Sequence, residues 1–141
     1  MPRGINLNNP MNLERNSISW QGASTLQDDP RFVRFETPEM GVRAGMKVLL
    51  TYQNKDDLQN ISAIITKYAP PAENDTAAYI SDVSAHCGVS PTDFFDVEVP
   101  DNMIRLAQAI IIHEQGHCPD DSTPFWYEND VYESAAKDAL G

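Results

Sequence analysis

The sequence predicts a mainly α-helical single domain over residues 1–141, of the α+β kind, with a small β-hairpin lobe near its start. Three observations carry this reading. From Thr37 onward apolar residues recur at helical spacing between recognisable caps, and before it two short β-prone runs flank a polar loop. No repeat, low-complexity tract or linker divides the chain. With 141 residues, 41% of them hydrophobic, and two Trp, five Phe and five Tyr, the chain can form one core burying roughly two-thirds of its unfolded surface.

The elements follow in order. Residues 1–16 are rich in Asn, and Pro2, Gly4 and Pro10 break any period, so the segment reads as irregular chain held by side-chain amides. Residues 17–21 and 31–35 form the hairpin around a loop ending in Asp28, Asp29 and Pro30. Thr37 is an N-cap, Pro38 suits the first helical position, and Glu39 complements the positive end of the helix dipole. Val42, Met46, Leu49 and Leu50 then share one face of a helix reaching about Asn54. A second helix covers residues 61–68 and stops at Pro70 and Pro71. A third begins near Asp75 and ends at Gly88, a natural residue just past a helix end. Ser90 to Asp93 opens a short helical turn. Asp101 is the expected cap of a helix over residues 103–115, and Asn129 or Asp130 that of a last helix reaching Leu140. The 103–115 helix is apolar around nearly its whole circumference, which predicts the hub of the core.

Ten Lys and Arg stand against 21 Asp and Glu, a net charge of −11. That balance argues against nucleic acid, whose phosphates require clustered cations, and against an anionic membrane surface. A substrate is expected to be neutral, cationic, or held by shape and hydrogen bonds. No stretch approaches the 18 or so apolar residues of a membrane span, and the opening MPRGINLNN offers no run for a signal peptide. The expectation is a chain made in the cytoplasm. Cys87 and Cys118 are too few for a disulfide framework and leave open either two reduced thiols or one bridge.

Chemistry concentrates where the apolar helix ends. His113-Glu114-Gln115-Gly116-His117 matches HExxH, in which two His one turn apart bind Zn²⁺ and the Glu polarises a bound water. Gly116 and Pro119 oppose continuation of the helix through His117. A third ligand would have to be Glu128, Glu133, Asp120 or Asp121, close in sequence for a return helix. Glycosidase chemistry competes for the same Glu114. A carboxyl group at the rim of an apolar core is partly removed from water, which favours the protonated form that a general acid starts from. His113, the preceding residue, points about 100° away around the helix and reads as a packed histidine.

The segments RGINLNNPMNLERN, SWQG, DDPRFVRFETPEMGVRA, YAPPAENDTAAYI and AIIIHEQG, in that order, resemble a family of phage and prophage proteins with a lysozyme-like domain, often labelled virion or structural proteins. The likeness covers most of residues 3–116. The chain is also similar to lysozyme-like glucosaminidases and transglycosylases with the parts in rotated order. There a buried helix ends in the catalytic Glu, followed by an Asn-rich segment, a Trp-x-Gly and a Phe-x-x-Phe run. Here Glu114-Gln115-Gly116 comes late, while Asn8-Asn9-Pro10, Trp20-Gln21-Gly22 and Phe32-Val33-Arg34-Phe35 come early. The resemblance implies a circularly permuted lysozyme-like fold, an arrangement compatible with chain termini that lie close together.

The implied function is cleavage of the MurNAc–GlcNAc backbone of bacterial peptidoglycan, by a muramidase or lytic transglycosylase, without a cofactor. Glu114 would be general acid and then base, with Glu36 or Glu14 as candidates for a second carboxylate; a transglycosylase needs none. Asn8, Asn9 and Asn12 offer amides to sugar hydroxyls and N-acetyl groups, although they could equally brace the N-terminal loop. Trp20, Tyr68 and Tyr79 offer flat faces to pyranose rings, with a place in the core as the alternative. Delivery to the periplasm or wall would require a virion, holin or secretion apparatus, and a delivered toxin would imply an immunity protein. The alternatives are a zinc peptidase and a catalytically silent phage structural protein.

Overall fold

A computed structural model describes all residues from Met1 to Gly141. Its elements are α1 (Arg3–Asn6), α2 (Pro38–Asp56), α3 (Ile61–Tyr68), α4 (Thr76–Cys87), α5 (Pro100–Gln115) and α6 (Asn129–Leu140). The mainly helical expectation holds. The Thr37 hydroxyl accepts from the Met40 N–H, and Asn60 and Asp75 accept from Ala63 and Ala78, so α2, α3 and α4 each begin on a side-chain cap. Gly88 ends α4 in the left-handed region at φ 70°.

Two helix starts differ from expectation. Asp101 does not cap α5; it lies in the first turn, because Pro100 occupies the opening position and has no N–H to satisfy. Neither Asn129 nor Asp130 caps α6, which starts after Glu128 without a side-chain cap. Residues 90–93 close as a hydrogen-bonded turn, Asp93 N–H to the Ser90 carbonyl at 3.1 Å, and go no further towards a helix.

The β-hairpin is the larger correction. Residues 17–21 and 31–35 form no strands, and the only pairing is two isolated antiparallel bridges, Glu14 with Phe32 and Ala23 with Phe35. A few backbone bonds, such as Arg15 N–H to the Arg31 carbonyl and Val33 N–H to the Leu13 carbonyl, are supplemented by side chains. Asp29 accepts the backbone N–H groups of Arg31 and Phe32, while Gln27 accepts from Arg34 N–H and donates to the Ser24 and Arg34 carbonyls. Arg3 grips Asp29 through two hydrogen bonds, and these hold the Asp29 carboxyl far below the usual carboxylate range.

Helix α5 is the hub, packing against α1, α2, α4 and α6. Leu106, Ile110 and Ile111 are fully buried, each contributing roughly 1.5–3 kcal/mol relative to exposure. Leu13, Val33 and Phe35 of the lobe form a smaller core with Ala44 of α2. Close approach of lobe and helix depends on glycine. A Cβ on Gly41 would lie 1.7 Å from the Asn8 carbonyl oxygen, and one on Gly45 2.1 Å from Met11 Sδ. These two positions, one turn apart, let residues 8–11 lie directly on α2.

Both cysteines are free. Burial pushes the Cys87 thiol up to about 11, so little thiolate forms at neutral pH. With iodoacetamide at pH 8, mass spectrometry should find Cys118 modified first and Cys87 only after unfolding. Equal native rates would contradict the burial of Cys87.

Candidate active site

A cleft of about 1250 Å³ opens between the lobe, α2, the end of α3 and the C-terminal end of α5. Glu114 lies in it because α5 carries its apolar surface up to Ile112 and ends at Gln115, where Gly116 turns the chain at φ 80°. A helix C-terminus disfavours a negative charge, so neutral donors must support this carboxylate. Asn12 Nδ2 donates to one oxygen at 3.1 Å and the Tyr79 hydroxyl to the other at 3.2 Å.

The lobe and α5 meet through a short amide network. Gln115 Nε2 donates to the Pro10 carbonyl at 2.9 Å and to Asn12 Oδ1 at 2.8 Å, leaving the Asn12 amide nitrogen directed at Glu114. Asn12 adopts φ 56°, a left-handed conformation that Asn tolerates better than most residues. Gly4 makes room, since a Cβ there would meet Gln115 Nε2 at 2.1 Å. Beyond the adjacency of Gln115 to Glu114, no sequence pattern marks Gln115 and Gly4 as lobe anchors.

Tyr79 is buried on the other side of the carboxylate, stacked on His113 with ring centroids 3.6 Å apart. Burial, and then the Glu114 charge, push its hydroxyl well above the usual tyrosine range, so it remains a donor throughout the accessible pH range. Tyr68 borders the cleft and donates to the Met11 carbonyl; burial raises its hydroxyl too, with the Glu114 charge next.

Of the expected site residues, Asn12, Glu14, Trp20, Tyr68 and Glu114 line the cleft. Glu14 is exposed and paired with Arg31 at 2.7 Å. Glu36 is exposed and lies outside the cleft, so the structure does not bring it to Glu114. Burial corrects the sugar-contact reading of Asn9 and Tyr79, and Asn8 braces the loop, the alternative open to it. Asn9 is fully buried, its amide bonded to the Leu13 and Val33 carbonyls and its oxygen to the Leu13 N–H. Asn8 donates to the Phe35 carbonyl and takes φ 54°. Tyr79 presents no face to a sugar because its ring is enclosed.

The HExxH pattern does not form a metal-binding helix. His117 lies past the end of α5 and cannot share a helical face with His113. No three His, Cys, Asp or Glu side chains are grouped to hold a metal ion. His113 Nδ1 instead stands 4.0 Å from Asp82, and all three histidines border a second cavity of about 690 Å³.

The fold and site define a class of helical protein in which an N-terminal lobe crosses the end of a buried helix, and the helix's own Glu114, held by neutral donors, borders an open cleft. No family model matches the chain. It belongs to the family of Protein P5 of Pseudoalteromonas phage PM2, a phage protein with which it is 36% identical over 129 residues, spanning 89% of this chain and 76% of that one.

Proposed function

We propose that the protein is a peptidoglycan-cleaving glycosidase of the lysozyme-like kind, in permuted order, acting on the MurNAc–GlcNAc backbone as a muramidase or lytic transglycosylase. One observation carries the reading. Glu114 stands at the end of a buried helix in a cleft large enough for several sugar rings, fixed by the Asn12 and Tyr79 donors. In this reading Glu114 protonates the leaving oxygen and then acts as base. Asn12 and Tyr79 are positioning residues.

Besides Glu114 the cleft carries two carboxylates, Glu14, which is paired with Arg31, and the exposed Glu73, and neither is bonded to Glu114 or its supporting donors. That favours the transglycosylase route, in which the substrate's own 6-hydroxyl attacks the anomeric carbon and no second carboxylate is needed. Such an enzyme reaches the periplasm by phage or secretion delivery; no helix is long and apolar enough to cross a membrane. If it is delivered as a toxin, an immunity protein that plugs the cleft is the matching partner.

A second reading has its own support. The bonds around Glu114 also join the lobe to α5, which suits a catalytically silent phage structural protein.

Turbidity clearing of purified peptidoglycan separates these readings, comparing wild type, Glu114→Gln, His117→Ala and EDTA-treated protein. Loss with Glu114→Gln alone is the expected result. Loss in all three samples would favour a zinc peptidase, and inactivity of folded wild type the structural role. Mass spectrometry of the fragments then distinguishes 1,6-anhydro from reducing ends. Tyr79→Phe keeps the stacked ring and removes one donor. Its cleavage rate should fall about tenfold, consistent with loss of a charge-assisted hydrogen bond; an unchanged rate would remove Tyr79 from the positioning role.

A further inference from the structure

The cleft is less acidic than the chain as a whole, with Asp56 and Asp138, which pair with two of its cations, just outside it. Four of the ten Lys and Arg line it, against three of the 21 Asp and Glu. Screening at physiological salt limits the reach of exposed charges to about 8 Å, so these local groups, rather than the net −11, determine what the cleft attracts. The expectation of a substrate held without electrostatic help therefore does not follow from the overall charge.

The cations differ in availability. Arg31 pairs with Glu14 at 2.7 Å, and Lys67 pairs with Asp56 at 2.7 Å while lying over the Tyr52 ring. Arg43 Nε lies 3.1 Å from Asp138 on α6, but its N–H is misaligned and has no hydrogen-bond partner. Lys47 has no carboxylate partner. Arg43 and Lys47 are four residues apart on α2, hence on one face, and both border the cleft that holds Glu114.

We infer that this face of α2 is an anion subsite, in which Lys47 binds a carboxylate carried by the glycan's short peptide side chains, with Arg43 beside it. The inference rests on the glycosidase reading and names the substrate feature that the same cleft selects. A neutral chitin-like chain fills the sugar positions but leaves Lys47 without an anion. A glycan bearing carboxylates replaces the water around the Lys47 ammonium with a charge-assisted hydrogen bond.

Calorimetric binding to the Glu114→Gln protein tests this without turnover. The probes are soluble un-cross-linked peptidoglycan strands, the same strands with their carboxyl groups converted to amides, and the neutral N-acetylglucosamine hexamer. Native strands should bind about fivefold more tightly than amidated ones, the size of one partly exposed charge pair. Adding Lys47→Gln should abolish that preference, and Lys47→Arg should retain it. Equal binding of native and amidated strands, a preference that survives Lys47→Gln, or no binding of any strand each overturns the anion subsite. The glycosidase reading fails separately, if folded wild type binds native strands with this preference yet releases no fragments.

Discussion

Glu114→Gln is expected to reduce peptidoglycan cleavage by about 10³-fold, within the range attributed to a general acid–base group, while leaving the fold intact. The amide has nearly the same shape, so the lobe can remain docked. Its oxygen can accept from Asn12 Nδ2, and its nitrogen can donate to the Tyr79 hydroxyl, which accepts as well as it donates. What disappears is the transferable proton. The measurement is fragment release together with thermal unfolding of both proteins. A melting temperature near that of wild type with activity lost assigns the effect to chemistry. Full activity in the folded variant would remove Glu114 from the mechanism, and with it the glycosidase reading.

The second large effect is on stability. Asn9→Ala should cost about 4 kcal/mol, because three buried hydrogen bonds vanish and the Leu13 N–H and Val33 carbonyl, left without partners, each forfeit roughly 1–3 kcal/mol of solvation, while the Leu13 carbonyl keeps its bond from the Val33 N–H. Set against the roughly 5–15 kcal/mol that stabilises a whole domain, this is a large fraction. Asn9 reinforces the single backbone bond between Leu13 and Val33, so its loss should loosen the lobe ahead of the helices. Urea unfolding should shift to a lower midpoint, and limited proteolysis should cut between residues 13 and 33. Asn8→Ala, which removes one bond to the Phe35 carbonyl, should cost less. Wild-type stability of Asn9→Ala with glycan binding lost would return Asn9 to a sugar-contacting role.

These outcomes show how differently the two halves of the chain were legible. Helices α2 to α6 are readable because their signals are local: Thr37 and Pro38 at one start, Asp75 and Gly88 at the two ends of α4, and the largely apolar circumference of α5. Glu114 was readable as the polar residue where that apolar helix emerges. The β-prone runs of the lobe suggest a hairpin. The lobe is instead built around asparagine and glutamine side chains bonded to backbone groups as many as 27 residues distant. Such bonds have no period, so no local pattern announces them. Arg43 and Lys47 carried a weak signal in their four-residue spacing, but charged residues at that spacing equally describe a solvated helix face.

By itself the sequence determined the helical segments, the hub helix and the carboxylate at its end, because caps and apolar periodicity act over a few residues. Only the tertiary structure decided which amides support the lobe and which one meets Glu114. The Asn12–Glu114 bond joins residues 102 apart, and Gly4, Gly41 and Gly45 provide the close approach that makes it possible. The same packing collects four of ten cations in one cleft of a strongly acidic protein. Net charge is a sum over residues and carries no position; the field in a cleft depends on distance.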